Sequence, residues 1–379
     1  MAEMKAISLF SGAMGLDIGL MKAGIKIEIG QDFDADCVRT MAVNGHKGLL
    51  GDIKNILPEM LLAETNMNVG DPFLICGGPP CQPFSTAGKR MGINDPRGSL
   101  FLDFVRMIDA IRPRFFVMEN VKGLMSAPLK DETGKNTDTK VLDVILEEFK
   151  KLNYKTVYGV LDAVNYGVPQ FRERFVLIGS RDNENIFLPV PTHFHVHQND
   201  DCRWRTLGEA ISDLEDESSE CAAFSENRLK YLRLIPEGGN WKDLPKDLIE
   251  EAMGGAYRSG GGKVGFYRRL SYSQPSPTIV TSPVQKATMM CHPKKHRPLS
   301  VAEYARIQQF PDNWKFTGTT ASKYKQIGNA VPVGLAQAIG EMLVAVAKQE
   351  HEIVVKRIRG TGIHEKIQDA IRIGGEAKC

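Results

Sequence analysis

Residues 76–85 read CGGPPCQPFS, directly behind the apolar stretch 72–75 (PFLI). One thiol, Cys81, follows two prolines whose rings fix the backbone. A thiolate is a strong nucleophile, and a stiff support holds it in one place. The seven cysteines (37, 76, 81, 202, 221, 291 and 379) are odd in number, widely spread and without a CxxC pair. That argues against a disulfide framework and against a structural zinc site. One reactive cysteine among inert ones fits better, and Cys76, inside its apolar run, reads as a small core residue.

Three carboxylates invite the same question. Asp32 follows IKIEIGQ, Asp52 lies in GDI (51–53), and Glu119 follows RFFVM. The stretch FSGAMGLDIG (10–19) is a glycine-rich turn behind a short apolar run. Such a turn lets a ligand approach a helix start, although a simple turn capped by Ser11 has the same composition. Asp32 then sits where a ribose diol would be bonded, and Phe33 beside it could stack on a purine. The spacing is not GxGxxG and the loop has no P-loop lysine, which disfavours a nicotinamide dehydrogenase.

The elements that must position these groups alternate. Strands are predicted at 5–10, 25–31, 72–76, 114–118, 154–161 and 175–180. Helices are predicted at 16–23, 35–44, 100–111 and 141–152. Leu102, Val105, Ile108 and Ile111 share a face of the third. Alternation over about 180 residues predicts a doubly wound α/β sheet, whose ligands bind beyond the carboxyl ends of the strands. Asp32, Asp52, Cys81 and Glu119 all follow predicted strands. The pattern returns at the end, with a helix at 300–309 and a loop entering an apolar helix over 326–343.

The chain has 379 residues, 42% hydrophobic and 25% charged, with a net charge of +2. These values fit a soluble globular protein of one large and one smaller domain. The sequence shows no membrane span and no signal peptide, so a cytoplasmic protein is expected. Total charge does not point to nucleic acid, but its distribution does. From Gly255 to Ser300 there are eight Lys or Arg (258, 263, 268, 269, 286, 294, 295 and 297) and no Asp or Glu. Tyr257, Phe266, Tyr267 and Tyr272 are interleaved among them. This reads as a footprint for phosphates. His193, His195 and His197 alternate in HFHVH, but two more polar residues on a surface connection are the simpler reading, and no metal is expected.

FSGAMG, GDI, GGPPCQPFS, ENV (119–121), QFRER (170–174), RPLSVAEYARIQQFPD (297–312) and QIGNAVP (326–332) occur in this order. Together they closely resemble the DNA (cytosine-5) methyltransferases of bacterial type, over about residues 5–180 and 268–340. The resemblance implies a Rossmann-like, S-adenosylmethionine-dependent methyltransferase sheet with a smaller, mostly irregular or β target-recognition domain. The expected boundaries are 1–189 for the first part of the catalytic domain and 190–300 for target recognition. Residues 301–347 return to the catalytic domain, and 348–379 form a C-terminal extension.

The resemblance also implies roles. Cys81 adds to C6 of cytosine, and Glu119 contacts N3 and the exocyclic amine. Arg172 and Arg174 stabilise the charge that develops on the ring. S-adenosylmethionine is held by Phe10, Gly12, Gly15, Asp32, Phe33, Asp52, Ile53, Leu100, Asn329 and Ala330. The target base is flipped out of duplex DNA. Ser85, Lys89, Arg90 and Arg97 belong to a polar lid that closes on the phosphates. Thr278, in SPTIVTS (276–282), is a phosphate contact. Arg258, Arg268 and Arg269, with Tyr272, Gln285 and Lys286, are candidate DNA contacts or base readers. Arg297 and Arg306 organise the recognition domain. A monomer is expected, either with a cognate restriction endonuclease as a functional partner or as an orphan enzyme without one. Alternatives are a tRNA cytosine-5 methyltransferase and an inactive DNA-binding regulator. The intact Cys81, Glu119 and Arg172 argue against the second.

Overall fold

The computed structural model describes residues 3–80, 100–130, 135–196, 199–214, 220–258 and 264–349. Its contacts divide the chain into two compact units. The first contains residues 1–162, 173–191 and 333–379; the second contains 163–172 and 192–332. Residues 301–332, expected to return to the catalytic domain, thus cluster with the second unit.

The first unit runs β1 (Lys5–Leu9), α1 (Gly15–Lys22), β2 (Lys26–Asp32), α2 (Ala35–Val43), β3 (Gly48–Leu50), α3 (Pro58–Thr65), β4 (Leu74–Gly77), α4 (Leu100–Ile111) and β5 (Phe115–Val121). A hairpin of β6 (Pro128–Lys130) and β7 (Asn136–Lys140) follows, then α5 (Val141–Lys151), β8 (Lys155–Asp162) and β9 (Glu173–Ser180). The main sheet has the order β3-β2-β1-β4-β5-β9-β8. Neighbours from β3 to β5 are parallel, and β9 runs antiparallel to both β5 and β8. The chain moves outward from β1 to β3, then restarts on the other side at β4. The carboxyl ends of β1 and β4, where the order reverses, are the usual ligand position in open α/β sheets.

The central strands are apolar runs because helices cover both faces. β4 is buried throughout, and so is β5 until its last residue. α4 turns Phe101, Phe104, Val105, Ile108 and Ile111 inward. Phe116 stacks on Phe149 with ring centroids 4.0 Å apart, in the same cluster as Ile7, Leu9 and Ile75. β5 extends through Val121, pairing Glu119 with Val176 and Asn120 with Phe175. Glu119 therefore lies inside the strand near its end, not beyond it.

The second unit holds short helices: α6 (Leu207–Ile211), α7 (Glu226–Leu232), α8 (Lys246–Met253), α9 (Gly255–Arg258), α10 (Val301–Ile307) and α11 (Thr320–Asn329). Between 192 and 300 the described residues form isolated bridges rather than ladders, such as Arg269 with Cys291. A cluster of Phe224, Tyr231, Leu232, Leu244, Met253, Tyr267 and Met289 forms its core. Ser300 and Glu303 make a reciprocal cap on α10, and Arg297 grips the Glu303 carboxylate at 2.8 and 2.7 Å. The stretch 326–329, expected as loop, is the end of α11.

The chain re-enters the first unit as α12 (Val333–Ala347), which packs along α1. The two helices nearly touch backbone to backbone. A Cβ at Gly19 would fall 2.4 Å from the Ala336 Cβ, and one at Gly340 would fall 2.7 Å from the Ala23 Cβ. One window within Thr320–Ala347 is apolar enough by composition to cross a membrane, but 67% of it is buried, as in a core helix.

Candidate active site

The turn after β1 is bent by left-handed backbone at Phe10, Gly12 and Met14 (φ 53°, 55° and 69°). Two of these are not glycine, and such conformations cluster where a ligand is held. Ser11 does not cap α1: its hydroxyl donates to Ser8 Oγ at 2.8 Å, and the cap position is Met14. The Gly12 amide donates to Asp32 Oδ2 at 2.8 Å, and the Asp34 amide donates to Asp32 Oδ1 at 2.8 Å. Burial raises the Asp32 pKa, and these two amides offset part of that. Asp34 itself caps α2 through the Asp36 amide. Phe33 is 68% exposed, a free aromatic face beside a fixed carboxylate.

Gln31 joins this turn to the one after β3. Its Oε1 accepts from the Phe10 amide at 3.3 Å, and its Nε2 donates to the Gly51 carbonyl at 2.7 Å. Asp52 is exposed and caps a short turn by accepting from the Lys54 amide at 3.1 Å. Ile53 is buried, and its carbonyl receives Arg106 Nη2 at 2.7 Å. Leu100 opens α4 and packs on the core; Gly15 is the first residue of α1. Eight of the ten expected cofactor contacts thus lie in the first unit. Asn329 and Ala330 lie in the second, at the end of α11.

The second group surrounds Glu119. Arg174 Nε lies 2.8 Å from Glu119 Oε1, and both side chains are largely buried. Burial lowers the Arg174 pKa, and the neighbouring carboxylate works against that shift. The glycines that precede Cys81 in the sequence are explained by space. A Cβ at Gly77 would fall 2.4 Å from the Leu9 carbonyl, and one at Gly78 would fall 2.9 Å from Glu119 Oε2. Asn120 Nδ2 donates to the Pro79 carbonyl at 2.9 Å, tying ENV to GGPP. Cys81 lies outside the described residues, as do Ser85, Lys89, Arg90 and Arg97. Cys76 is fully buried, and burial holds its thiol well above the usual range. It packs as a small core residue, as expected.

Arg172 differs from Arg174. It is 1% exposed, and its guanidinium donates to the carbonyls of Ile279 (3.0 Å), Gly328 (2.7 Å) and Ala330 (3.0 Å). The side chain holds backbone together within the second unit.

The cations of 255–300 also sort into two sets. Arg269 is buried and donates to the carbonyls of Leu232, Ile235, His292 and Lys295 at 2.6–2.9 Å and to that of Pro293 at 3.4 Å. Its guanidinium thus ties these backbone stretches of the second unit together. Arg268 is half-buried on Met289 and Met290, and burial lowers its pKa. Arg258 is exposed and pairs with Glu250 at 2.8 Å, an arrangement that competing ions can open. Thr278 is exposed, its hydroxyl donating to the Phe171 carbonyl at 2.6 Å. His193 meets Thr192, and His195 lies edge-on to Trp204; His197 is outside the described residues.

Gln31, Asn120 and Arg106 were not singled out from sequence. A polar residue at the carboxyl end of a strand, beside a candidate carboxylate, was the available signal for the first two. Arg106 gave none.

The family described as C-5 cytosine-specific DNA methylase matches residues 4–345. The chain is 38% identical to the Type II methyltransferase M.Sau96I of Staphylococcus aureus over 345 residues, covering 90% of this chain and 75% of that one. It is also 38% identical to the Type II methyltransferase M.PspPI of Psychrobacter sp. over 348 residues, covering 89% and 78%. Among solved structures, a DNA modification methyltransferase encoded within an E. coli prophage aligns with a TM-score of 0.64 at 22% identity, covering 91% of this chain and 99% of that one. Spodoptera frugiperda DNMT2 aligns with a TM-score of 0.57 at 18% identity, covering 90% and 99%. The match over nearly the whole length, on a seven-stranded sheet whose order reverses between β1 and β4, places the chain in the C-5 cytosine-specific DNA methylases.

Proposed function

We propose that the chain methylates C5 of one cytosine within a short, specific sequence of duplex DNA, with Cys81 as the covalent nucleophile. As a member of its family it is a DNA (cytosine-5) methyltransferase that uses S-adenosylmethionine. The base leaves the stack to reach the site, at a cost of about a few kcal/mol. The Cys81 thiolate adds to C6, and the ring electrons shift through C5 and C4 to N3. Glu119, as the acid, delivers a proton to N3, so the ring becomes an enamine nucleophilic at C5. Bound S-adenosylmethionine supplies the methyl group at C5. Glu119 takes the N3 proton back as C5 is alkylated. Loss of the C5 proton to a base then restores the C5–C6 double bond and expels the thiolate.

Arg174 orients the Glu119 carboxyl and adds positive charge where the ring becomes electron-rich. The first turn fits a sulfonium nucleoside: Asp32 offers fixed carboxylate oxygens to a ribose, and Phe33 offers a ring face to adenine. Asp52 would take the adenine amine. The Glu119–Arg174 pair carries this reading, since it is locked against the GGPP segment that leads into Cys81. The naming of the relatives as Type II methyltransferases supports a modification role beside a restriction endonuclease of the same specificity.

The decisive experiment compares the wild type with Cys81→Ser. The wild type transfers labelled methyl groups to duplex DNA and not to tRNA, and forms a covalent adduct with duplex DNA carrying 5-fluorocytosine. Cys81→Ser loses the adduct and at least about a thousandfold in rate, yet keeps cofactor affinity within a few fold. Full activity in that variant would overturn the mechanism, and transfer to tRNA alone would overturn the substrate.

A further inference from the structure

Three buried side chains of the second unit are joined in a way that methyl transfer itself does not require. Gln170 and Gln308 are fully buried, and Arg172 is nearly so. Gln170 Nε2 donates to Gln308 Oε1 at 3.0 Å, and Gln170 Oε1 accepts from the Ile279 amide at 2.8 Å. Gln308 Nε2 donates to the carbonyls of Ile327 (2.8 Å) and Ala330 (3.0 Å). Arg172 spans the same two stretches, bonding Ile279 on one side and Gly328 and Ala330 on the other.

The pattern singles out two residues. Ile279 has its amide held by Gln170 and its carbonyl held by Arg172. Ala330 has its carbonyl held by both Arg172 and Gln308. Ile279 follows Thr278, the expected phosphate contact, and Ala330 follows Asn329 in the expected cofactor loop. The backbones also meet directly: a Cβ at Gly328 would fall 2.6 Å from the Val280 carbonyl and 2.9 Å from the Thr281 amide. Thr278 is tied in turn to Phe171, between Gln170 and Arg172. The carbonyls at the end of α11 need donors in any case, and a guanidinium there is favoured by the helix dipole. Simple capping, however, would not require the same side chains to grip a second loop.

We propose that Gln170, Gln308 and Arg172 are positioning residues that couple DNA engagement at the 276–281 loop to cofactor binding at the 328–330 loop. This rests on the roles given above to Thr278, Asn329 and Ala330. A buried, well-bonded polar network transmits displacement because leaving any member unbonded is costly. DNA seated on Thr278 fixes Ile279, and through the shared bonds it fixes Ala330 in the conformation that accepts the cofactor. Coupling between two sites is reciprocal, so the cofactor tightens DNA by the same factor.

The test measures S-adenosylhomocysteine affinity by calorimetry, with and without a saturating plasmid fragment that the wild type methylates. The wild type should bind at least about fivefold more tightly with DNA present, and the reciprocal DNA titration should give the same ratio. Gln308→Met keeps the volume but removes the donors. It should bring the ratio near one, while each ligand alone still binds within about threefold. Thr278→Val, at the exposed end, probes the same coupling without touching the buried bonds and should lower the ratio too. This keeps the test open if Gln308→Met fails to fold. A wild-type ratio of one, or a full ratio in a folded Gln308→Met or in Thr278→Val, overturns the coupling. If the wild type binds neither ligand, the proposed function fails instead.

Discussion

At the carboxyl ends of β1 and β2 and near the end of β5, short polar side chains stay where the strands put them. Asp32 is met by two backbone amides, and Glu119 by one arginine. In 255–300 the chain is irregular and the polar groups are long cations. Several of these turn inward: Arg269 gives its guanidinium to five carbonyls, and Arg297 grips Glu303. A carboxylate on a strand has little reach, so its position in the sequence fixes its place in the site. An arginine in an irregular stretch can find unsatisfied backbone in any direction. Position in a regular element is therefore a better guide to function than local charge. Arg172 and Arg174 repeat the contrast two residues apart, one buried among carbonyls and one beside Glu119.

The sharpest way to break this contrast is Arg174→Leu. If the strand site does the chemistry, kcat falls by about a thousandfold or more, and cofactor affinity, read separately by titration, stays within a few fold. Unchanged turnover would remove Arg174 from the site. The opposing test is Arg269→Leu, which leaves several carbonyls without their donor. Urea unfolding should show a loss of about 3 kcal/mol; a stable variant with weak DNA binding would return Arg269 to the interface.

Asp17 sharpens the comparison from within the first unit. It is fully buried in α1, 4.0 Å from Cys76 Sγ. Burial pushes its pKa up to about 7, with the Ser8 hydroxyl opposing. A folded pKa above the unfolded one means that its stabilising contribution is complete below about pH 4 and is lost as pH rises through about 7. Asp17→Asn should therefore gain on the wild type by about 2 kcal/mol between pH 5 and 8, followed by urea midpoints. A gain independent of pH would mean that no charge is being buried there. The smallest effect belongs to Arg258→Ala. Its exposed pair with Glu250 contributes less than about 1 kcal/mol. If Arg258 contacts a phosphate, the slope of log affinity against log salt should flatten by about 0.9, and no change in slope would leave it a surface residue.

The succession of elements along the chain was legible because parallel strands covered on both faces are written as apolar runs, and α4 was read to the residue. α3 was missed because it is short, and Pro58 at its start reads as a break unless it is taken as a first-turn residue. The β6–β7 hairpin was missed because one of its strands is polar and mostly exposed. Residues 326–329 looked like loop because of Gly328. That glycine serves close contact with Val280 inside the second unit, which no local pattern reveals. Asp32, Glu119 and the glycine turn were readable from strand ends and motif order. Asn120 and Gln31 act through backbone groups far along the chain, and that dependence is visible only once the strands are paired.

The seam between α1 and α12 has a consequence for synthesis. α1 emerges from the ribosome long before α12, and Gly19, Leu20 and Ala23 cannot be covered by their final neighbour until Val333–Ala347 has emerged. At about 5–20 residues per second, the nascent chain must shelter that face for tens of seconds. Translation speed and chaperone access in that interval then become determinants of yield.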